Sequence, residues 1–361
     1  MTTSSLHRLC AAWALTLWAC AAQAAPLDAL LDANPQARYG QGLLEVSADR
    51  MNQSLDVFKL RGADLALSDN TGDHQGVTLR AGLSLAPTVW VDGALQRRKL
   101  TYGPDQPQID AWRLGAQWQF LPAQAGQATA ALRLSAWGNQ AAQVSKSTPT
   151  ALGPLNCSGS AGCVDRLSVN DAKDRTLQAD VVGTWPLGPV SLSAFAGAGQ
   201  GKVTVDSITA TASQVPLLGN VTTTYRNGSF DDPLFAIASN LFNFNTELQA
   251  TNYNTRTAQA GFNLAYTSGP WLLRGGYALQ HIQRTAVDDV ISAKGKTPYS
   301  LNHTLVGELA YKLTPRVVLF TRGQAMSNQF LTEIPFLYNS LTSQRFNQRY
   351  GVLSVGMGVL F

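Results

Sequence analysis

The sequence predicts an all-β fold, a transmembrane antiparallel up-and-down barrel of about 12 strands, with 14 left open. Three observations predict it. After residue 41 the chain repeats segments of about ten to fifteen residues that alternate apolar with small or polar side chains. The connections between those segments alternate short and long. No later stretch approaches the 18 or more apolar residues that a membrane-crossing helix needs.

The N-terminus is set apart first. "MTTSSLHRLCAAWALTLWACAAQAAP" has basic His7 and Arg8, an apolar run Leu9–Ala19 and the small-residue site Ala22-Gln23-Ala24. That order predicts a signal peptide over 1–24, cut after Ala24. A buried N-terminal helix and a lipoprotein anchored at Cys20 are the alternatives, although Trp18 makes a poor lipobox. Residues 25–41 are then expected as a short periplasmic segment, and 42–361 as the barrel.

Charged residues make up 14% of the chain, where a soluble protein carries nearer a quarter. Mean hydropathy is nevertheless −0.05, because polar and apolar residues alternate. A net charge of +4 gives no nucleic-acid signature. Cys157 and Cys163 in "CSGSAGC" read as a disulfide closing a small loop in an exported chain. No cofactor motif and no metal-ligand spacing stands out. The glycine-rich "AFAGAGQGK" at 194–202 sits inside an alternating strand and opens no helix, so small lumen residues are expected there rather than a phosphate loop.

The expected strands are 42–52, 74–85, 88–102, 110–120, 127–140, 174–185, 189–204, 255–267, 270–283, 299–313, 315–328 and 348–361. Short turns such as "APT", "PLGP", "SGP" and "TPR" carry Pro or Gly turn chemistry. The long connections are 53–73, 103–109, 141–173, 205–254, 284–298 and 329–347. A hidden membrane hairpin, best placed in "SLDVFKLRGADLAL", would raise the count to 14. Period-two faces follow. Leu177, Ala179, Val181 and Trp185 share one face, and Gln178, Asp180 and Thr184 the other. In the last strand Leu353, Val355, Met357, Val359 and Phe361 oppose Ser354, Gly356 and Gly358. Phe120, Trp185, Tyr266, Trp271, Tyr311 and Phe361 all lie beside short turns, as an interfacial aromatic girdle would.

With these features on view, the chain resembles Gram-negative outer-membrane β-barrel proteins of the porin-like type. The signal, the alternating segments and the closing "YGVLSVGMGVLF" carry the resemblance. It implies residence in the bacterial outer membrane and contact with its lipids and lipopolysaccharide. It also implies that Phe361 is the signal read by the barrel-assembly machinery. It names no individual family and leaves oligomeric state open.

On this facing the lumen carries Glu45, Asp49, Arg80, Asp92, Arg98, Arg113, Arg133, Asp180, Arg274, Glu308, Lys312, Arg316 and Arg322. Turn positions set Arg80 across from Asp92 and Glu308 across from Arg322, with Arg133 and Asp180 on neighbouring strands. Two readings stay open. The charges form a basic-leaning channel for a small polar or anionic solute, or a ladder of ion pairs that fills a structural or surface-binding barrel. Loop 205–254 is the candidate constriction, through an amphipathic helix in "SFDDPLFAIASNLFNFN" and Asp231 with Asp232 at the narrowing; an outward cap is its alternative. A third reading is a lipid-facing hydrolase. Ser327, His303 and His281 fall in one outward row, as nucleophile and base would, with Gln283 nearest as orienter and the loop acids Asp288, Asp289 and Glu333 unplaced. Its bland counterpart is a set of interfacial polar residues meeting headgroups, with Arg97 and Lys99 at the same rim.

Overall fold

The computed structural model describes residues 29–50, 73–101, 105–122, 126–147, 150–151, 163–215, 219–233, 236, 244–328, 331–340, 342–347 and 349–361. The signal segment, the possible hairpin at 54–67 and Cys157 lie outside these residues, and the expected disulfide with them. The helix expected in 229–245 also lies mostly outside them.

Each alternating segment forms a strand. These are β1 (Gly42–Arg50), β2 (Asp73–Ala86), β3 (Val89–Thr101), β4 (Gln108–Leu121), β5 (Thr129–Lys146), β6 (Thr150–Ala151), β7 (Cys163–Leu187), β8 (Val190–Thr204), β9 (Ser207–Val215), β10 (Gly219–Arg226) and β11 (Ser229–Phe230). The series ends with β12 (Tyr253–Ser268), β13 (Trp271–Arg284), β14 (Leu301–Lys312), β15 (Val317–Met326) and β16 (Tyr350–Leu360). Twelve of them close into one antiparallel barrel, β1–β5, β7, β8 and β12–β16, with β1 pairing β16 from Leu43↔Leu360 to Arg50↔Leu353. Closure leaves no unpaired edge in lipid.

Strand β7 runs for 25 residues and outlasts its neighbours. Its lower part pairs β8 as far as Lys173↔Thr204. Asp171 then takes a left-handed φ of 49°, and above it β9 replaces β8, starting at Asn170↔Ser207. Loop 205–254 therefore begins as an outward hairpin, β9–β10, that continues the sheet beyond the barrel. Its β9–β10 part lies beyond the barrel, not in the lumen. Asp231 accepts from the Thr224 N–H at 2.7 Å and from the Thr223 hydroxyl at 2.8 Å, on that hairpin and not at a narrowing of the lumen.

The faces follow the two-residue period. Leu177, Val181, Leu264, Leu305 and Val355 are exposed on the outer wall, while Arg133, Asp180, Asn263 and Glu308 are buried inside. The girdle residues Phe120, Trp185, Tyr266, Trp271 and Phe361 all face outward, and Trp271 packs on Tyr311 at 4.6 Å between centroids. Phe361 is anchored through its backbone. Its carbonyl accepts from Gly42 N–H at 2.8 Å, and its own N–H reaches the Gly42 carbonyl at 3.0 Å. Lumen glycines make room for neighbours: a Cβ on Gly197 would overlap Asp180 Oδ1, and one on Gly115 would meet the Arg133 guanidinium at 2.2 Å.

Candidate functional site: a lumen closed from both ends

The first residues described lie inside the barrel. Residues 29–39 run through the short-turn half of the lumen, rather than forming a separate periplasmic segment below it. Asn34 caps the short helix Pro35–Tyr39, its side chain accepting from Ala37 N–H with Pro35 at the first helical position. Ala29, Leu31 and Ala33 pack on Ala131, Val182, Phe195 and Ala278 of the wall. Around that apolar patch, wall side chains bind the segment's backbone. Asn263 Nδ2 donates to the Leu31 carbonyl at 2.7 Å and Gln117 Nε2 to the Asp32 carbonyl at 2.9 Å. Ala33 N–H donates to Thr184 Oγ1 at 2.9 Å. Asp32 pairs with Arg38 of the same segment at 2.8 Å, and Tyr39 stacks on Trp90. This segment is the plug.

From the other end, residues 331–340 and 342–347 fold into the barrel as a cork. Leu331, Ile334, Phe336, Tyr338 and Phe346 join Ile109, Val203, Tyr253, Ile282 and Ile291 in the largest apolar cluster among the described residues. Tyr253 donates its hydroxyl to the Pro335 carbonyl at 2.6 Å. The Arg284 guanidinium sits 4.2 Å above the Tyr338 ring. Asn139 Nδ2 donates to the Glu333 carbonyl and to Asp174, each at 2.8 Å, and Arg98 reaches Asn139 Oδ1 at 2.5 Å. Glu333 is buried with its Oε2 unpartnered, and burial raises its pKa against the opposing pull of Arg98.

Between plug and cork remains a chamber of about 110 Å³. Glu45, Asp49, Arg80, Arg98, Arg113 and Arg322 are among its walls, with Ala29 of the plug and Glu333 of the cork. The ion pairs differ in part from the register expected. Glu308 does face Arg322, and its carboxylate is shared by Arg322 at 2.6 Å and Arg274. Arg322 also approaches Glu45 at 3.7 Å. Arg80 lies opposite Ala94, not Asp92, because the tight turn is Pro87–Thr88, with Ala86 pairing Val89, and is not centred on Ala86. Asp92 is instead held by both guanidinium nitrogens of Arg133 at 2.8 Å. Arg133 does register with Asp180, but Asp180 accepts from Gln178 and Gln259. Asp49 takes Thr78 at 2.5 Å and Gln96 at 3.0 Å. Lys312 sits exposed at the short-turn mouth beside Arg38, and Arg316 lies in the turn rather than on the lumen wall.

The outward Ser/His row does not form a relay. Ser327 lies beside His303, yet its hydroxyl accepts from His303 backbone N–H at 2.9 Å and donates to Asn302 Oδ1 at 3.1 Å. The His303 ring bonds the Tyr277 hydroxyl at 2.8 Å. His281 faces Leu301, not His303, since β13 and β14 pair two residues out of the expected register. Asp288 salt-bridges Arg284 at 3.5 Å, and Glu333 is inside the barrel, so neither loop acid meets the row.

Sequence reasoning expected Lys312 and Arg316 on the wall, where the structure does not put them, and missed the plug and the cork. "ANPQAR" carries an Asn-Pro helix start that marks 34–39 as structured. "IPFLY" in 334–338 is an apolar run in a loop that ought to be polar, which is the signal for burial.

Comparison with known proteins places the chain only broadly. No family model and no curated protein matches. Among solved structures it is similar to the translocator domain of autotransporter NalP from Neisseria meningitidis, at 10% identity, TM-score 0.46 and 89% coverage of both chains. It is likewise similar to the β domain of the Bordetella autotransporter BrkA, at 8% identity and TM-score 0.44, covering 90% of this chain and 100% of that one. The CymD monoaromatic hydrocarbon channel stands at 9% identity and TM-score 0.44, with 92% of each chain covered.

Proposed function

We propose that this protein is a gated channel of the bacterial outer membrane for a small polar or anionic solute, and that the conformation described is its closed state. The apolar outer wall, aromatic girdle and closed barrel support the location. One observation carries the gating. The occluding plug is bound to the wall through side-chain-to-backbone hydrogen bonds and a small apolar patch, with no β-pairing. It is held as a ligand is held, in front of a charged chamber. The chamber sets four arginines, Arg80, Arg98, Arg113 and Arg322, against four carboxylates, Glu45, Asp49, Asp92 and Glu333, so a small polar solute meets partners of both signs.

A non-conducting, surface-binding barrel is the second reading. The sheet of β7 and β9–β11 above the barrel favours it, since it offers a broad outer surface. Planar-bilayer recording of the full chain separates the two. The wild type is expected to open rarely. A33E combined with I334E places carboxylates at two fully buried positions and is expected to expel both segments. Discrete current steps should result. A folded double variant with no current above leak would establish the non-conducting reading.

A further inference from the structure

The outer wall carries a feature the lumen does not explain. Arg175 on β7 lies directly opposite Lys202 on β8. Arg256 on β12 lies opposite Gln200, diagonal to Lys202. All three are exposed on the membrane-facing side, near the long-loop end. Like charges directly opposite one another destabilise a strand pair. Yet among the described residues none of the three side chains has an ion pair or hydrogen bond. Two other outward cations are paired, Arg97 with Asp110 at 2.9 Å and Lys173 with Asp171 at 2.7 Å.

Immediately below the cations the outer wall is dished. An apolar groove of about 1360 Å³ runs from Arg256 and Gln200 down to Phe361. Leu114, Leu134 and Leu177 flank it, and Ala136, Ala179 and Ala198 form its floor. Trp112 lies beside the head of the groove, its indole nitrogen over Gly138, which pairs with Arg175. An aromatic at that place marks the membrane interface.

We infer that the three cations and the groove form a binding site for a phosphorylated, multiply acylated lipid of the outer leaflet, the lipid A part of lipopolysaccharide. Phosphates neutralise Arg175, Lys202 and Arg256, and acyl chains fill the groove. A second copy of the chain is a poorer occupant, because the outward carboxylates Asp110, Asp171 and Asp206 are already paired within their own chain. The site rests on the outer-membrane location and not on the channel reading.

The test is native mass spectrometry of the full chain in detergent, titrated with purified lipid A. The wild type should retain lipid A. R175Q/K202Q/R256Q should bind it at least about tenfold more weakly, since each basic side chain near an anionic surface contributes measurably. A198L keeps the cations but fills the groove floor, and should weaken binding as well. Circular dichroism verifies that both variants are folded. Dephosphorylated lipid A should bind the wild type as poorly as lipid A binds the triple variant. Undiminished lipid A binding by the triple variant would overturn the proposal. So would equal retention of phosphatidylglycerol, equal affinity for inorganic diphosphate alone, or a wild-type dimer that the triple variant loses.

Discussion

The plug and the cork close the same lumen by opposite means. The plug is short and small-featured, with alanines against a shallow apolar patch and polar wall side chains reaching its backbone. The cork is bulky, with Ile334, Phe336, Tyr338 and Phe346 interlocked with residues from several strands. Apolar burial grows with the area removed from water, whereas a hydrogen bond exchanged with water nets about 1 kcal/mol. The comparison therefore assigns the cork to stability and the plug to exchange. The segment that moves first is expected to be the one held by replaceable polar contacts.

The largest expected effect falls on the cork. Ile334 is fully buried in the main apolar cluster. Ile334→Ala removes that side chain and leaves a cavity, at a cost of about 2–5 kcal/mol. Proteolysis within 329–347 should become rapid while the barrel strands stay protected. Equal protection in wild type and variant would place the cork's stability elsewhere and break the comparison.

The plug should respond less. Asp32 accepts from Asn34 N–H at 2.8 Å and from Thr184 Oγ1 at 3.2 Å, besides its ion pair with Arg38. Asp32→Ala is expected to weaken plug docking by about 1–3 kcal/mol, since it leaves half-buried donors unpaired. Hydrogen exchange at 29–39 should accelerate with no change in exchange at 331–346. Parallel acceleration of both would show that the two closures form one cooperative unit.

What was legible in the sequence follows from the same physics. The barrel strands were readable because a strand that meets lipid on one side and water or plug on the other must alternate, as 174–185 and 255–267 do. Turn chemistry fixed the β14–β15 register and hence Glu308 opposite Arg322. It failed at β2–β3, where the turn sits at Pro87–Thr88 rather than on Ala86 and so sets Arg80 opposite Ala94. It also failed at β13–β14, where helix Val287–Ala293 makes the connection asymmetric and separates His281 from His303. The partner of Arg133 was hidden for a different reason. Its guanidinium bypasses the registered Asp180 and crosses the β4 wall at Gly115, over which it reaches Asp92. Which loop enters a lumen is a tertiary outcome, and the apolar run "IPFLY" at 334–338 was the readable sign that this loop is buried.

The smallest expected effect sharpens the comparison by acting on the cork without touching its packing. Glu333 is buried, faces Arg98 from β3 and Asp49 from β1, and lies near Asp174 of β7. Burial outweighs Arg98, so its pKa in the docked loop stands above that of a free glutamate. The docked state then prefers the protonated acid. Its contribution is complete at pH below the ordinary glutamate value and is lost as pH rises through the raised one. Docking of 331–346 should therefore loosen as pH rises, read as faster labelling of a cysteine placed at the buried Ser343. Glu333→Gln keeps the neutral shape and should reduce the pH response of labelling. The plug backbone is held by the neutral side chains of Asn263, Gln117 and Thr184, so labelling near Arg38 should stay flat over the same range. A pH response at the plug, or one at the cork that Glu333→Gln leaves undiminished, would mean that the charge controlling closure lies in the chamber rather than in the cork.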